Sequence, residues 1–141
     1  MKRIQHGAFS FAIVLGMLCG CGERGVDGRP TPVPVSGTVL YNQQPCADAQ
    51  VVFAPQDHNH AAVGKSDSSG RFVLQTFEPG DGAVPGRFRV VVTKFEAIDT
   101  PDGGFKETFF LPQKYRDAET SGLTAVVATD GANDIQLELV D

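Results

Sequence analysis

The sequence predicts an all-β domain over residues 33–141, a seven-stranded antiparallel two-sheet sandwich. Three observations lead there. Apolar residues recur with period two in several short runs, the mark of half-buried strands. Those runs are separated by segments rich in Gly, Asp, Asn and Pro, which favour turns. No apolar stripe of helical spacing and useful length occurs; the one helical turn expected is 112–118, where Pro112 can occupy the first helical position. No internal repeat is visible.

The first segment reads as targeting information. Lys2 and Arg3 give a positive start, and residues 8–18 are apolar apart from Ser10 and Gly16. That run has the length of a signal-peptide core and is too short to span a bilayer comfortably. Leu18-Cys19-Gly20-Cys21 then resembles the lipobox of bacterial lipoproteins. The resemblance implies that residues 1–20 are a signal peptide cut between Gly20 and Cys21, that the Cys21 thiol is diacylated, and that the new amine is usually acylated as well. Cys19 competes for the role, but the bulky Leu18 directly before it fits the signal peptidase badly. An ordinary secreted protein cut after a small-x-small site is the competing reading. A buried apolar helix fits the charged start and the glycine-rich exit poorly.

Residues 21–32 carry Gly, Pro and charge with almost no apolar content, and are expected to tether the lipid to the domain. Two or three acyl chains hold a protein firmly where one does not. The expected partner is therefore the membrane, through the N-terminal lipid, and the protein is expected to be exported and lipid-anchored in the cell envelope. Gly22 rather than Asp follows Cys21; by the sorting rule of proteobacterial lipoproteins this directs the protein to an outer membrane, if the host has one.

Charge narrows the partners further. The chain has 12 basic and 17 acidic side chains. Without Lys2 and Arg3, ten basic remain against 17 acidic, a net charge of −7. That argues against nucleic acid and against adhesion to anionic lipid by charge. Once Cys21 is acylated and Cys19 removed, Cys46 is the one free thiol, so no internal disulfide can hold the fold and the core must do so.

The strands follow in order. Val33, Val35, Gly37, Val39 and Tyr41 alternate with Pro34, Ser36, Thr38 and Leu40, and 42–45 is turn material. A second strand spans 50–54 and a third 61–66. Asp67-Ser68-Ser69-Gly70 is a strong turn, expected to close a hairpin with Gly70 in the left-handed region between two paired strands. Strands at 71–76, 87–94, 123–128 and 134–140 complete the set. The expected core is Val39, Val51, Phe53, Phe72, Leu74, Phe88, Val90, Val92, Ile135 and Leu137, with Arg87 and Arg89 facing out. Residues 77–85 and 95–110 are expected to stay irregular, at the ends of the sandwich or crossing between its sheets.

At this point a second resemblance emerges. Val35-Ser36-Gly37-Thr38-Val39, Gln44-Pro45, Ala49-Gln50-Val51-Val52-Phe53 and Asp67-Ser68-Ser69-Gly70-Arg71-Phe72 resemble the carboxypeptidase regulatory-like domain, whose fold is a transthyretin-like sandwich. The stretches 76–86, 111–115 and 121–124 resemble short bacterial lipoproteins that carry this domain. Together they cover nearly all of 33–140. The resemblance is specific for fold and weak for function, because such domains are mostly accessory. Two positions depart from the pattern. Asp48 stands where Gly is usual, and Cys46 takes a place usually held by an apolar residue, as a partly buried small hydrophobe would.

The routes to catalysis known for this fold are not matched. The hydroxyisourate hydrolases end in Tyr-Arg-Gly-Ser, whereas this chain ends Glu138-Leu139-Val140-Asp141. The metallocarboxypeptidase site needs His-x-x-Glu and a later His; no such pair occurs, and His6, His58 and His60 all precede residue 61. Collagen-adhesin domains place an isopeptide Lys on the first strand, and 33–41 has none. No nucleophile elbow occurs. Asp57-His58-Asn59-His60 is the one polar cluster of interest. Extended, it would put His58 and His60 on one side as weak candidates for a transition metal, although a solvated loop is the favoured reading. Asp67–Gly70 with Asp81 is better explained by turn geometry than by calcium binding, and 78–82 by a rigid loop than by phosphate binding. Phe105, Phe109, Phe110 and Tyr115 concentrate aromatics near a long crossover. They are expected to fill core beneath it; the alternative is an exposed aromatic shelf that stacks on sugars or a partner protein.

The expected function is non-enzymatic and without a cofactor: a lipid-anchored accessory or interaction module of the cell envelope, with an envelope protein or glycan as partner. A binder of carbohydrate or a small ligand through the end loops is the alternative.

Overall fold

The computed structural model describes residues 28–141. The chain there is all-β, with ten strands: β1 (Val35–Tyr41), β2 (Gln44–Pro45), β3 (Gln50–Pro55), β4 (Ala62–Lys65), β5 (Arg71–Val73), β6 (Gly86–Thr93), β7 (Phe95–Asp99), β8 (Phe105–Phe109), β9 (Thr124–Val127) and β10 (Asn133–Leu139). A 3-10 turn, Gln113–Arg116, follows Pro112.

Seven of these strands lie where the periodicity puts them. The differences are β2, β7 and β8, and the number of sheets, which is three rather than two. The first sheet is built on β1: β10 lies along one edge, while β5 and β2 share the other. The second runs β4-β3-β6-β9, all antiparallel, and β7 with β8 makes a separate two-stranded sheet. The expectation of an entirely antiparallel arrangement is also corrected, since β1 and β10 pair in parallel from Val35–Asn133 to Tyr41–Leu139. Period two reports which face of a strand is buried, not which neighbour it pairs with or in which direction.

The core lies between the first and second sheets. Phe53 of β3 is its centre, with ring centroids 6.3 Å from Phe72 of β5 and 5.5 Å from Phe88 of β6. Val35, Val39, Leu137 and Leu139 close it from the first sheet; Val51, Val90, Val92 and Val127 close it from the second. Of the ten expected core residues nine are buried, and Ile135, opposite Gly37 near the start of β10, is half-buried. Cys46 is buried, more fully than expected, and desolvation pushes its thiol pKa up, away from reactivity.

Two glycines and one aspartate explain the local sequence. Gly37 sits directly across from Phe72, and a Cβ there would come within 2.4 Å of the Phe72 ring, so the bare backbone makes room for the aromatic core. Gly70 has φ +77°, and its carbonyl accepts from the Val39 N–H at the seam where β5 and β2 abut along β1. A Cβ on Gly70 would lie 2.7 Å from the Val39 oxygen. Asp48 has φ +58°, a left-handed conformation that glycine adopts freely and Asp tolerates, which accounts for the replacement of the usual Gly.

The turn before Gly70 has the expected closure but the wrong consequence. Gly70 N–H donates to the Asp67 carbonyl and Asp67 N–H to that of Arg71. The Asp67 carboxylate accepts from Ser69 N–H, Ser69 Oγ and Arg71 N–H. Yet β4 and β5 do not continue as a hairpin. They diverge into different sheets and meet again only at the bridge between Val63 and Gln75. Phe72 must enter the core opposite Gly37, and that packing takes β5 to β1.

Candidate functional site

The feature that stands apart is the ribbon of β7 and β8. Pro101-Asp102-Gly103 turns it. Gly103, at φ +83°, donates to the Thr100 carbonyl, and Thr100 N–H donates to Gly104. This is the same closure as at Asp67–Arg71, a type I turn followed by a left-handed glycine. All ten strand residues are exposed. Phe110 N–H donates to the Lys94 carbonyl at the root. From that bond and the one at Thr100, the hydrogen-bonded pairs are Glu96–Thr108 and Ile98–Lys106, while Phe95–Phe109, Ala97–Glu107 and Asp99–Phe105 are non-hydrogen-bonded. Phe95, Phe105 and Phe109 therefore share one face, and the backbone groups of these odd-numbered residues point away from the ribbon's own ladder.

The root is held and the tip is not. Phe95 and Phe109 stack across the strands at 5.6 Å. The Arg116 guanidinium carbon lies 3.6 Å above the Phe109 ring centroid, and the Lys94 ammonium 5.8 Å from that of Phe110. Toward the tip, Ile98 is 58% and Phe105 71% exposed. This corrects the expectation for the aromatic group. Tyr115 alone is buried, while Phe105, Phe109 and Phe110 are exposed. The ribbon forms a sheet of its own, so among the described residues no other sheet covers those rings. Beside the root lies a shallow, mainly polar depression of about 260 Å³ lined by Asp48, Gln50, Lys65, Lys94, Phe95 and Glu96.

The ribbon leaves the sandwich at the pole opposite the one where the chain joins it. Val33 bridges Ala83, and Arg29 lies 5.4 Å from the Phe77 ring, which stands against His60 beyond the Pro55 end of β3. The ribbon starts after Thr93, which pairs with Gln50 at the other end of β3, about 17 Å away by strand rise.

His58 and His60 lie at the joining pole, in the loop between β3 and β4, with ring centroids 5.9 Å apart. His58 Nδ1 accepts from the His60 N–H, and His58 Nε2 is buried without a hydrogen-bond partner, close to Gly86. Asp57 is turned to Arg87, bonding its guanidinium at 2.8 and 3.2 Å and its backbone N–H at 3.0 Å. The Arg87 side chain holds the Asp57 carboxyl below the usual range. The carboxylate is thus committed to Arg87 and the His58 ring is turned inward, an arrangement that orders the loop. Among the described residues, no three His, Cys, Asp or Glu side chains gather as metal ligands.

Asp81 also has a structural task. Its carboxylate accepts from the N–H groups of Thr76, Phe77 and Glu78 at 2.6, 2.9 and 2.9 Å and so organises the loop 76–82. Gly20 and Cys21, the expected cleavage and lipidation site, lie outside the described residues. Among those described, no helix is long and apolar enough to cross a membrane.

No protein-family model and no curated protein matches the chain. Among solved structures, a 9R-lipoxygenase from Cyanothece PCC8801 is similar over 79% of this chain and 16% of that one, at 12% identity and a TM-score of 0.42. The chain thus spans about a sixth of that protein's length, and a likeness at this level carries no inference about activity.

Proposed function

We propose that this is a lipid-anchored protein of the cell envelope, non-enzymatic, whose sandwich is of the transthyretin-like, carboxypeptidase regulatory-like type and presents the β7–β8 ribbon to a partner. The observation that carries the reading is the ribbon itself. An isolated two-stranded sheet is marginally stable in water, and this one exposes Ile98 and Phe105 at its tip, with no covering element among the described residues. Large exposed apolar groups on a projecting arm are the signature of a contact surface. The lipobox residues Leu18, Gly20 and Cys21 support the anchor, and the position of the ribbon at the pole away from Arg29 and Val33 suits a partner lying beyond the anchoring membrane.

The test has two arms. Mass spectrometry of the mature protein should find an acylated N-terminal peptide beginning at Cys21, and Cys21→Ser should abolish acylation. Crosslinking in intact envelopes should join the protein to a defined partner, and Ile98→Ser/Phe105→Ser should abolish that product at unchanged thermal stability. Retention of the product in the double variant would refute the role of the ribbon.

The depression beside Phe95 favours a second reading, the binding of a glycan, because it sets an aromatic ring next to several polar side chains. Of the ribbon only Phe95 and Glu96, both at its root, line it, and the exposed Ile98 and Phe105 do not, which is why protein contact is preferred. Glycan binding that is lost in Asp48→Ala/Glu96→Ala and kept in Ile98→Ser/Phe105→Ser would establish the second reading instead.

A further inference from the structure

We infer that the outer edge of β7 takes an extended, basic peptide segment of a partner protein as a third strand of the ribbon. The inference rests on the reading of the ribbon as an interaction surface and names what it binds.

The backbone supplies the first argument. Among the described residues β7 pairs only with β8, and the N–H and C=O groups of Phe95, Ala97 and Asp99 point away from β8 because these residues occupy non-hydrogen-bonded pairs. That row of unpaired donors and acceptors is a template for strand addition. Natural edge strands are commonly blocked by charged side chains, Pro or a bulge; β7 has neither Pro nor bulge within Phe95–Asp99, and its charges, Glu96 and Asp99, are both negative and repel only a strand of like charge. Ala97 at its centre leaves the approach open, whereas the root of β8 lies beneath Arg116.

Charge selects the occupant. The ribbon from 95 to 109 carries Glu96, Asp99, Asp102 and Glu107 against Lys106 alone, and β7 itself has two carboxylates and no cation. The neighbouring cations are occupied elsewhere: Lys65 with Asp48 at 3.4 Å, Lys94 over Phe110 and Arg116 over Phe109. Neither Glu96 nor Asp99 takes part in an ion pair among the described residues. Lys or Arg side chains on one face of an added strand would meet Glu96, while apolar side chains on its other face would extend that of Phe95 and Phe105; Asp99, on this second face, adds to the negative field of the edge. The same acidic edge repels a second copy of β7 and an anionic lipid surface.

The experiment uses the full chain in detergent micelles and a fluorescent peptide of about six residues that alternates valine with lysine. A peptide with glutamate in place of lysine is the control. The lysine peptide should bind saturably and at least about tenfold more tightly than the control. Ala97→Pro removes an outward N–H without touching the bonds to β8, and should weaken binding at least about tenfold. Glu96→Lys/Asp99→Lys, which leaves the backbone unchanged, should reverse the preference between the two peptides. Glu107→Pro, on the outer edge of β8, should leave binding intact. Absence of binding, equal affinity for both peptides, or an unchanged preference in the charge-reversed variant would overturn the inference. So would association of two copies that Ala97→Pro disrupts. If Ala97→Pro keeps the envelope crosslink that Ile98→Ser/Phe105→Ser loses, strand addition is wrong and the interaction module stands.

Discussion

The hydroxyl of Tyr115 makes both backbone hydrogen bonds of Val140, accepting from its N–H at 2.9 Å and donating to its carbonyl at 3.0 Å. Tyr115 is only 4% exposed, on the 3-10 turn, so one buried side chain ties the end of β10 to an element between β8 and β9. Beyond it, Tyr41 and Asn42 bond the carboxylate of Asp141.

Replacement of Tyr115 tests that tie. Tyr115→Phe keeps the ring and leaves the Val140 N–H and carbonyl without their partner. The domain should lose about 1–2 kcal/mol, toward the lower end of the cost of unmet groups because Val140 is partly solvated. Urea denaturation checks it, and an unchanged midpoint would show that water replaces the hydroxyl fully.

Gly70 offers a sharper contrast. Gly70→Val places a β-branched side chain at φ +77° and drives its Cβ against the Val39 oxygen. The cost should exceed about 2 kcal/mol. At the neighbouring exposed position, Ser69→Val removes one side-chain bond to Asp67 and should cost about 1 kcal/mol or less. Equal melting temperatures for the two variants would contradict the seam geometry.

A stabilising change is expected at the β1–β2 turn. Asn42 and Gln43 both have positive φ, +47° and +67°, the two-residue hairpin geometry that prefers Asn-Gly. Gln43→Gly relieves the left-handed strain of a side-chain-bearing residue, partly offset by the greater freedom of Gly in the unfolded chain. A net gain of about 0.5 kcal/mol should appear as a higher melting temperature.

Asp81 links stability to pH. Burial pushes its carboxyl up, but the backbone N–H bonds of the 76–82 loop outweigh burial and hold it below the usual carboxylate range. A depressed folded value means stability that is present above the unfolded value of about 3.9 and is lost as pH falls through the folded value. Asp81→Asn should therefore lower the melting temperature at about pH 7, with the gap to the parent protein narrowing toward about pH 3. A gap independent of pH would assign the effect to something other than the carboxylate.

Which residues face inward was legible in the order of residues alone. Val39, Val51, Phe53, Phe72, Phe88, Val90 and Val92 are buried as period two requires, because a strand with one face in a core must alternate. The Asp67–Gly70 turn was legible for a local reason as well, since side-chain length and positive φ are settled within four residues. The ribbon was not, even though Pro101-Asp102-Gly103 is a turn signal of the same kind. Phe95-Glu96-Ala97-Ile98-Asp99 and Phe105-Lys106-Glu107-Thr108-Phe109 have both faces in solvent, so no burial imposes a readable alternation on them.

Partnership belongs to the tertiary structure. That β1 lies parallel to β10 nearly 100 residues later, that β5 leaves β4 to join β1, and that Phe105 stands in solvent while Tyr115 is buried all depend on how two sheets fill the space around Phe53. The strands, the turns and the inward faces follow from the chemistry of neighbouring residues and are readable along the chain. The pairing and the exposed arm are set only when the sheets pack, because a side chain's burial depends on distant segments that compete to cover it.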